Sequence, residues 1–198
     1  VSVALLLISD GRLDYLEQTR ASIALSVPPV DHLVHVDDSA HELGFAGAVA
    51  EGWRRVLATD ARWVLHVEQD FVFNRGVPLA AMTAALDAHP HLVQIALLRQ
   101  PWNEEEARAG GIVQLHPDDY QPVVAPQGRW LEHRRHVTTN PAVWPRWVIE
   151  RGWPETEQSE GRFGLELFAT DPALRAAYWG EGEEWVRHLG DDRAGWGY

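Results

Sequence analysis

Residues Val3 to Ile8 form an almost wholly apolar run, the pattern of a strand buried on both faces of a sheet. A sheet covered on both sides needs helices on both sides, and the following residues supply them. Leu16, Thr19 and Ile23 recur at helical spacing, Leu33 to Val36 makes a second short strand, and Phe45, Ala48, Val49, Trp53, Val56 and Leu57 share one helical face. Trp63 to Val67 reads as a third strand, Leu79, Met82 and Leu86 as another helical stripe, and Val93 to Leu98 as a fourth strand. This alternation predicts an α/β chain with a mainly parallel central sheet flanked by helices.

After Arg99 the regularity fails. Glu104-Glu105-Glu106, Gly110-Gly111 and several prolines fill a stretch up to about Gln127 without a period, which reads as a long functional loop or insertion. Eight of the ten tryptophans lie beyond residue 100, so the second half differs in character from the first. Pro145 opens a short helix that closes near Gly152, and Phe163 to Tyr178 shows helical spacing broken at Asp171-Pro172. At 198 residues the chain is expected to form a single domain, residues 1–198.

Without cysteine, the chain has no disulfide, thiolate zinc site or cysteine nucleophile. Its net charge of −12 disfavours sequence-independent binding to polyanions. No apolar run approaches the roughly 20 residues that span a bilayer, so membrane insertion is not expected. Val1 to Ile8 lacks the basic start of a signal peptide, and the expected location is the cytoplasm, of a bacterial or phage-infected cell.

The chemistry lies at the strand ends. Asp10, Asp37 with Asp38, and Glu68 with Asp70 each follow an apolar run, and in open α/β sheets ligands bind beyond the carboxyl ends of the strands. Glu68 and Asp70, two residues apart, point the same way if the strand continues, offering oxygen ligands to a hard cation that carries phosphates. Acidic residues also favour turns and helix starts, which is the competing explanation for any one of them. No GxGxxG follows the first strand and no GxxxxGK[ST] occurs, which disfavours a dinucleotide site and a P-loop.

These motifs resemble the GT-A-fold glycosyltransferases, particularly their family-two-like group, which implies a Rossmann-like sheet and a nucleotide-sugar donor. Ser9-Asp10-Gly11-Arg12 with Tyr15-Leu16, Thr19 and Ser22-Ile23 is similar to that group's first strand and helix, where the turn holds the nucleotide base. Val36-Asp37-Asp38-Ser39 resembles the motif that contacts uracil or ribose, and Gly44 to Gly52 resembles the small-residue helix after it. Glu68-Gln69-Asp70 stands in the place of the DXD motif, with Glu for the first Asp. The resemblance implies that Asp70 binds a divalent cation, Mn or Mg, on the donor diphosphate, and that Glu68 contacts ribose or the metal through water. It adds His188 in Val186-Arg187-His188-Leu189-Gly190 as a second metal ligand.

The resemblance extends over most of the chain, with residues 1–100 as the donor half and 101–198 as the acceptor half. Thr138-Thr139-Asn140-Pro141 resembles the segment framing the acceptor, and Phe163-Gly164-Leu165-Glu166 the aromatic-Gly-x-Glu core of the later acidic motif. Glu166 is therefore the candidate base for an inverting transfer, although Leu167 stands where an Asp is expected and another register puts Gly164 at the base position; a retaining transfer, with the leaving phosphate assisting the acceptor, is the alternative if Glu166 lies far from the acceptor hydroxyl. Trp102 and Trp130 are the acceptor-side candidates, most other tryptophans being expected in the core. Glu132-His133-Arg134-Arg135-His136 is either a phosphate-contacting cluster or a solvated strand face, and Arg193 in Asp191-Asp192-Arg193 is another candidate phosphate contact. The acceptor is left open among a glycan, a protein and a modified nucleic-acid base. A non-catalytic nucleotide-sugar or carbohydrate-binding protein is the alternative function. A nucleotidyltransferase is a third, disfavoured because the Gly-, Arg- and Lys-containing first loop is absent.

Overall fold

The computed structural model describes residues 2–190; Asp191, Asp192, Arg193 and Trp196 lie outside the described residues. The first half follows the expected alternation: β1 (Val3–Ser9), α1 (Leu13–Ser26), β2 (His32–Asp37), α2 (Gly44–Leu57), β3 (Trp63–Glu68), β4 (Phe71–Phe73), α3 (Leu79–Ala88) and β5 (Leu92–Ala96). The second half is α4 (Glu104–Ala109), α5 (Ile112–Leu115), a 3-10 turn at Pro117–Asp119, β6 (Gln121–Ala125), β7 (Gly128–His133), β8 (Ala142–Pro145), α6 (Arg146–Ile149), α7 (Ser159–Thr170), β9 (Arg175–Trp179) and β10 (Val186–His188).

Eight strands make one sheet in the order β2-β1-β3-β8-β5-β9-β7-β6. The pairings of β1 with β2, β1 with β3, and β5 with β9 are parallel, and only β8 and β7 run against the other six. The central sheet is thus mainly parallel, as the apolar runs imply. Its two faces are both buried. Along β1, Ala4, Leu6 and Ile8 enter one core while Val3, Leu5 and Leu7 enter the other, the period-two alternation of a strand sandwiched between layers. The first core is rich in aromatics: Trp53 meets Trp144, Trp153 and Phe163 edge to face at centroid separations of 5.6, 5.1 and 5.2 Å. Most tryptophans are therefore core residues.

The irregular stretch after Arg99 resolves into α4, α5 and the β6–β7 hairpin rather than one long loop. Asn103 caps α4 by accepting from the Glu106 N–H at 2.9 Å, and Glu106 accepts from the Trp102 N–H at 2.8 Å. This reciprocal cap uses the third acid of the triplet, and Glu104 pairs with Arg108 along the same helix. The arginines of the basic cluster are exposed but have partners within the protein, and His136 lines the cleft described below. Arg134 donates to the Phe168 and Pro172 carbonyls, Arg135 pairs with Asp119, and His133 is buried.

A second, two-stranded sheet determines the site. β10 pairs antiparallel with β4, setting His188 opposite Phe71, and the Leu189 N–H donates to the Asp70 carbonyl at 2.7 Å. From the other side, α1 pins the same segment. Buried Thr19 donates to the Gln69 carbonyl, and Ser22 accepts from the Phe73 N–H at 2.6 Å.

Candidate active site

The parallel strands deliver their acidic ends to one edge of the sheet, where the chain turns sharply. Gly11 has φ +89°, and a Cβ there would lie 2.8 Å from the Ser39 Cβ, so the turn after β1 packs directly on the turn after β2. Ser9, fully buried, sits 2.8 Å from His35 Nε2 and 3.3 Å from Asp37 Oδ1. Asp37 remains exposed and also accepts from the Ser39 N–H at 3.0 Å. Asp38, expected beside the donor, has a different task. Its two oxygens accept from the Leu43 and Gly44 N–H groups at 3.0 and 2.8 Å, satisfying the otherwise unpaired start of α2.

Asp10, Arg12, Gln69 and Asp70 form a single polar network. Gln69 donates to Asp10 Oδ1 and accepts from the Asp10 N–H at 3.1 Å, so this central residue of the DXD-like motif locks the two turns together. Arg12 donates from Nε to Asp10 at 2.7 Å and from an Nη to Asp70 Oδ2 at 3.2 Å. Burial pushes the Asp10 carboxyl up, but hydrogen bonds from Arg12 and Gln69 outweigh it and hold the group below the usual range.

At Asp70, His188 Nε2 lies 3.3 Å from Oδ2. Both residues are about 5% exposed, and the pairing of β10 with β4 brings them together across the sequence. Burial raises the Asp70 pKa, while the His188 contact and the charges of His188 and Arg12 pull it below its ordinary value. Asp70 Oδ1 is enclosed without a hydrogen-bond partner, an open acceptor that suits a cation. Among the described residues no three His, Asp or Glu side chains converge closely enough to form a complete metal site.

A cleft of about 1110 Å³ opens beside this network. Glu68 and Glu160 line it, together with Thr138 and Thr139. Glu160, in the first turn of α7, accepts from the Thr139 N–H at 2.6 Å and from its hydroxyl at 3.2 Å. Burial raises the Glu160 pKa against these hydrogen bonds, and burial together with the charges of Asp70 and Glu160 raises Glu68 well above its ordinary value. Gly164, one turn along α7, makes this geometry possible. A Cβ there would meet Val137 Cγ2 and the Val137 backbone N, both at 3.2 Å, so the missing side chain lets α7 close on the 136–139 segment.

Two expected site residues lie elsewhere. Glu166 is exposed on α7, where it accepts from Arg162 Nε at 2.8 Å, and it is absent from the cleft. Six residues along a helix rotate it about 120° from Glu160. Trp130, 0% exposed, packs on Trp179 in the core and donates to Glu132 at 3.0 Å, so no acceptor reaches it. Trp102, 43% exposed, does line the cleft. Glu160 was missed because an acid in the first turn of a helix is ordinary in sequence.

No protein-family model matches the chain, and no curated protein matches its sequence. Solved structures do. TarS 1-349 from S. aureus superposes with TM-score 0.59 at 13% identity, over 96% of this chain and 61% of its own. The mannosyltransferase PcManGT from Pyrobaculum calidifontis, in complex with GDP-Man and Mn2+, matches with TM-score 0.61 at 14% identity, over 96% and 57%. Glucosyl-3-phosphoglycerate synthase from Mycobacterium tuberculosis, in complex with Mn2+, UDP-glucose and glycerol 3-phosphate, matches with TM-score 0.55 at 13% identity, over 92% and 72%. The chain spans about three-fifths of the length of the first two. With the sheet order, the strand-end acids and these superpositions together, the architecture is the GT-A fold found in glycosyltransferases.

Proposed function

We propose that this protein is a metal-dependent, inverting, family-two-like glycosyltransferase that moves a sugar from a nucleoside diphosphate donor, a UDP-sugar first among the candidates, to an acceptor hydroxyl. The observation that carries this reading is the convergence of Asp70 with His188 and of Glu160 with Thr139 at one end of the sheet. Some structural neighbours are complexes with UDP, UDP-GlcNAc or GDP-Man, which supports a nucleotide-sugar donor for the fold.

In this reading Asp10, Arg12, Asp37 and the Gln69 turn hold the nucleoside end. Asp70 and His188 would hold a divalent cation, Mn or Mg, whose charge would offset that of the leaving diphosphate. The unpartnered Asp70 Oδ1 fits that role. Arg12 spans Asp10 and Asp70 and so fixes the spacing between the two ends of the donor site. The acceptor oxygen attacks the anomeric carbon as the bond to the diphosphate oxygen breaks, and its proton passes to Glu160. Thr139 aims that carboxylate, and burial strengthens it as a base. The donor rests mainly on the first half of the chain and the acceptor on the second, and the reaction is placed in the cytoplasm. Among the described residues no helix is long and apolar enough to cross a membrane.

The test is turnover of a nucleotide-sugar panel in Mn2+, read as release of nucleoside diphosphate, for the wild type, Glu160→Gln and Glu166→Gln. Loss of release in Glu160→Gln alone supports the assignment. Equal activity in all three contradicts it, and tight donor binding with no release on any acceptor favours a binding protein.

A further inference from the structure

The contacts around His188 single out a residue that holds the Asp70–His188 pair in place, an inference that rests on the metal-dependent reading. His188 belongs to β10, which is three residues long and pairs antiparallel with the equally short β4. A two-stranded ribbon is marginal by itself. The Leu189 N–H donates to the Asp70 carbonyl at 2.7 Å, and along an antiparallel pair the adjacent residue turns its N–H and C=O to the other side. His188 therefore directs both backbone groups away from β4, where the residue is only 5% exposed. Backbone groups so enclosed need partners.

The segment that follows β5 supplies them. The Leu98 carbonyl accepts from the Trp185 N–H at 2.8 Å and from the Val186 N–H at 3.2 Å, and Arg99 bridges Val186 in parallel register. Further along both segments a side chain takes over from the backbone. Gln100 Oε1 accepts from the His188 N–H at 2.9 Å, and Gln100 Nε2 donates to the His188 carbonyl at 2.8 Å. A primary amide carries its acceptor and its donor side by side, the complement of the N–H and C=O of one extended residue. The contact works in one orientation only, because a flipped amide would set donor against donor and acceptor against acceptor.

The imidazole is thus fixed from several sides. Gln100 holds its backbone, the Phe71 ring lies 4.7 Å from it between centroids with the planes 32° apart, and Nε2 is 3.3 Å from Asp70 Oδ2. Phe71 opens β4 and Asp70 directly precedes it, so both move with the ribbon, whereas Gln100 follows β5 of the main sheet. Removing the amide takes away the bonds that tie the His188 backbone to that sheet. Partners that orient a metal-binding side chain in this way change metal affinity about 10–100-fold when they are lost. We propose that Gln100 is a positioning residue for the cation site: its side-chain amide sets the His188 imidazole against Asp70 and so governs how tightly the pair takes a divalent cation.

The test compares the wild type with Gln100→Met, Gln100→Asn, His188→Ala and the double variant Gln100→Met/His188→Ala. Methionine keeps the length of the side chain without either hydrogen bond, and asparagine keeps the amide but withdraws it by one methylene. Two signals are read: the His188 ring resonance in NMR of the histidine-labelled, metal-free protein, and the Mn2+ Kd with UDP present, followed by water-proton relaxation. In Gln100→Met the His188 resonance is expected to shift while that of His66 in the core holds, and the Kd to rise about tenfold, with a smaller rise in Gln100→Asn. The double variant is expected to bind Mn2+ no more weakly than His188→Ala, because both changes act through one side chain. The His66 resonance reports the fold of each variant, and where Gln100→Met loses it Gln100→Asn decides. The proposal is overturned if the deciding variant keeps either the wild-type ring resonance or the wild-type Kd, or if its effect persists in full on the His188→Ala background. A wild type that takes up no Mn2+ overturns the metal-dependent reading and the proposal with it, whereas Mn2+ uptake indifferent to Gln100 overturns the proposal alone.

Discussion

Replacing His66 with leucine is expected to stabilise the protein and to blunt its response to acid. His66 sits on β3, is 0% exposed, and neither ring nitrogen has a hydrogen-bond partner. Burial lowers its pKa from 6.5 to about 3, so the folded protein holds it neutral while the unfolded chain protonates it. The unfolded state then binds one more proton between these two values. This contribution to stability is intact above pH 6.5, is lost as pH falls below it, and is fully lost near the folded pKa. At about 1.4 kcal/mol per pH unit, lowering the pH from 7 to 4.5 costs about 2.5 kcal/mol through His66 alone. Leucine has a similar volume and no polar atoms, so removing the unsatisfied nitrogens adds about 1–3 kcal/mol at neutral pH. Urea unfolding of both proteins at pH 7 and 4.5 isolates the effect, because His133, His136 and the carboxyls titrate in both. A variant that is less stable at pH 7, or that loses as much stability as the wild type on acidification, refutes the reasoning.

Glu160→Gln is expected to lower kcat by about 10²–10⁴-fold with little change in donor KM, whereas Glu166→Gln leaves both unchanged; steady-state kinetics decide between the two acids. Gly164→Ala gains helix propensity but pushes α7 off Val137, so kcat is expected to fall roughly tenfold with a stability change of less than about 1 kcal/mol, measured by kinetics and urea melts together. Arg146 donates to the Leu57, Thr59 and Ala61 carbonyls around the C-terminus of α2, and Arg146→Ala is expected to cost about 2 kcal/mol by the same melts.

The parts of the fold that repeat at short range were legible. Val3 to Ile8 and Trp63 to Val67 announce buried strands because every residue meets a packed layer on one side or the other. The acids after them announce a site because buried strands end where polar groups first reach solvent. Pairings between distant segments leave no periodic signal, and the joint placement of Asp70 and His188 came from the family resemblance alone. β4 and β10 are three residues each, too short for a periodic signal, yet they carry His188 to Asp70. Glu166 attracted the base assignment through the Phe163-Gly164 pattern, but of α7 only the first turn, Ser159 to Gly161, meets the cleft. Trp130 sits in a polar stretch of sequence and is nevertheless core, because β7 is covered on both faces there, Trp130 entering one core and Leu131 the other. Asp38 sits at a strand end like the others, and its neighbour α2 claims it as a cap.

The most direct test of the central claim is thermal stability with and without UDP or GDP, in Mn2+ and in chelator, for the wild type and Asp70→Asn. The account predicts that a nucleoside diphosphate at about 100 times its Kd stabilises the wild type by about 2.7 kcal/mol in Mn2+ only, and that Asp70→Asn loses the response. Stabilisation that persists in chelator, or that survives in Asp70→Asn, would contradict the metal-bridged donor site, and no response to any nucleotide would contradict the donor site altogether.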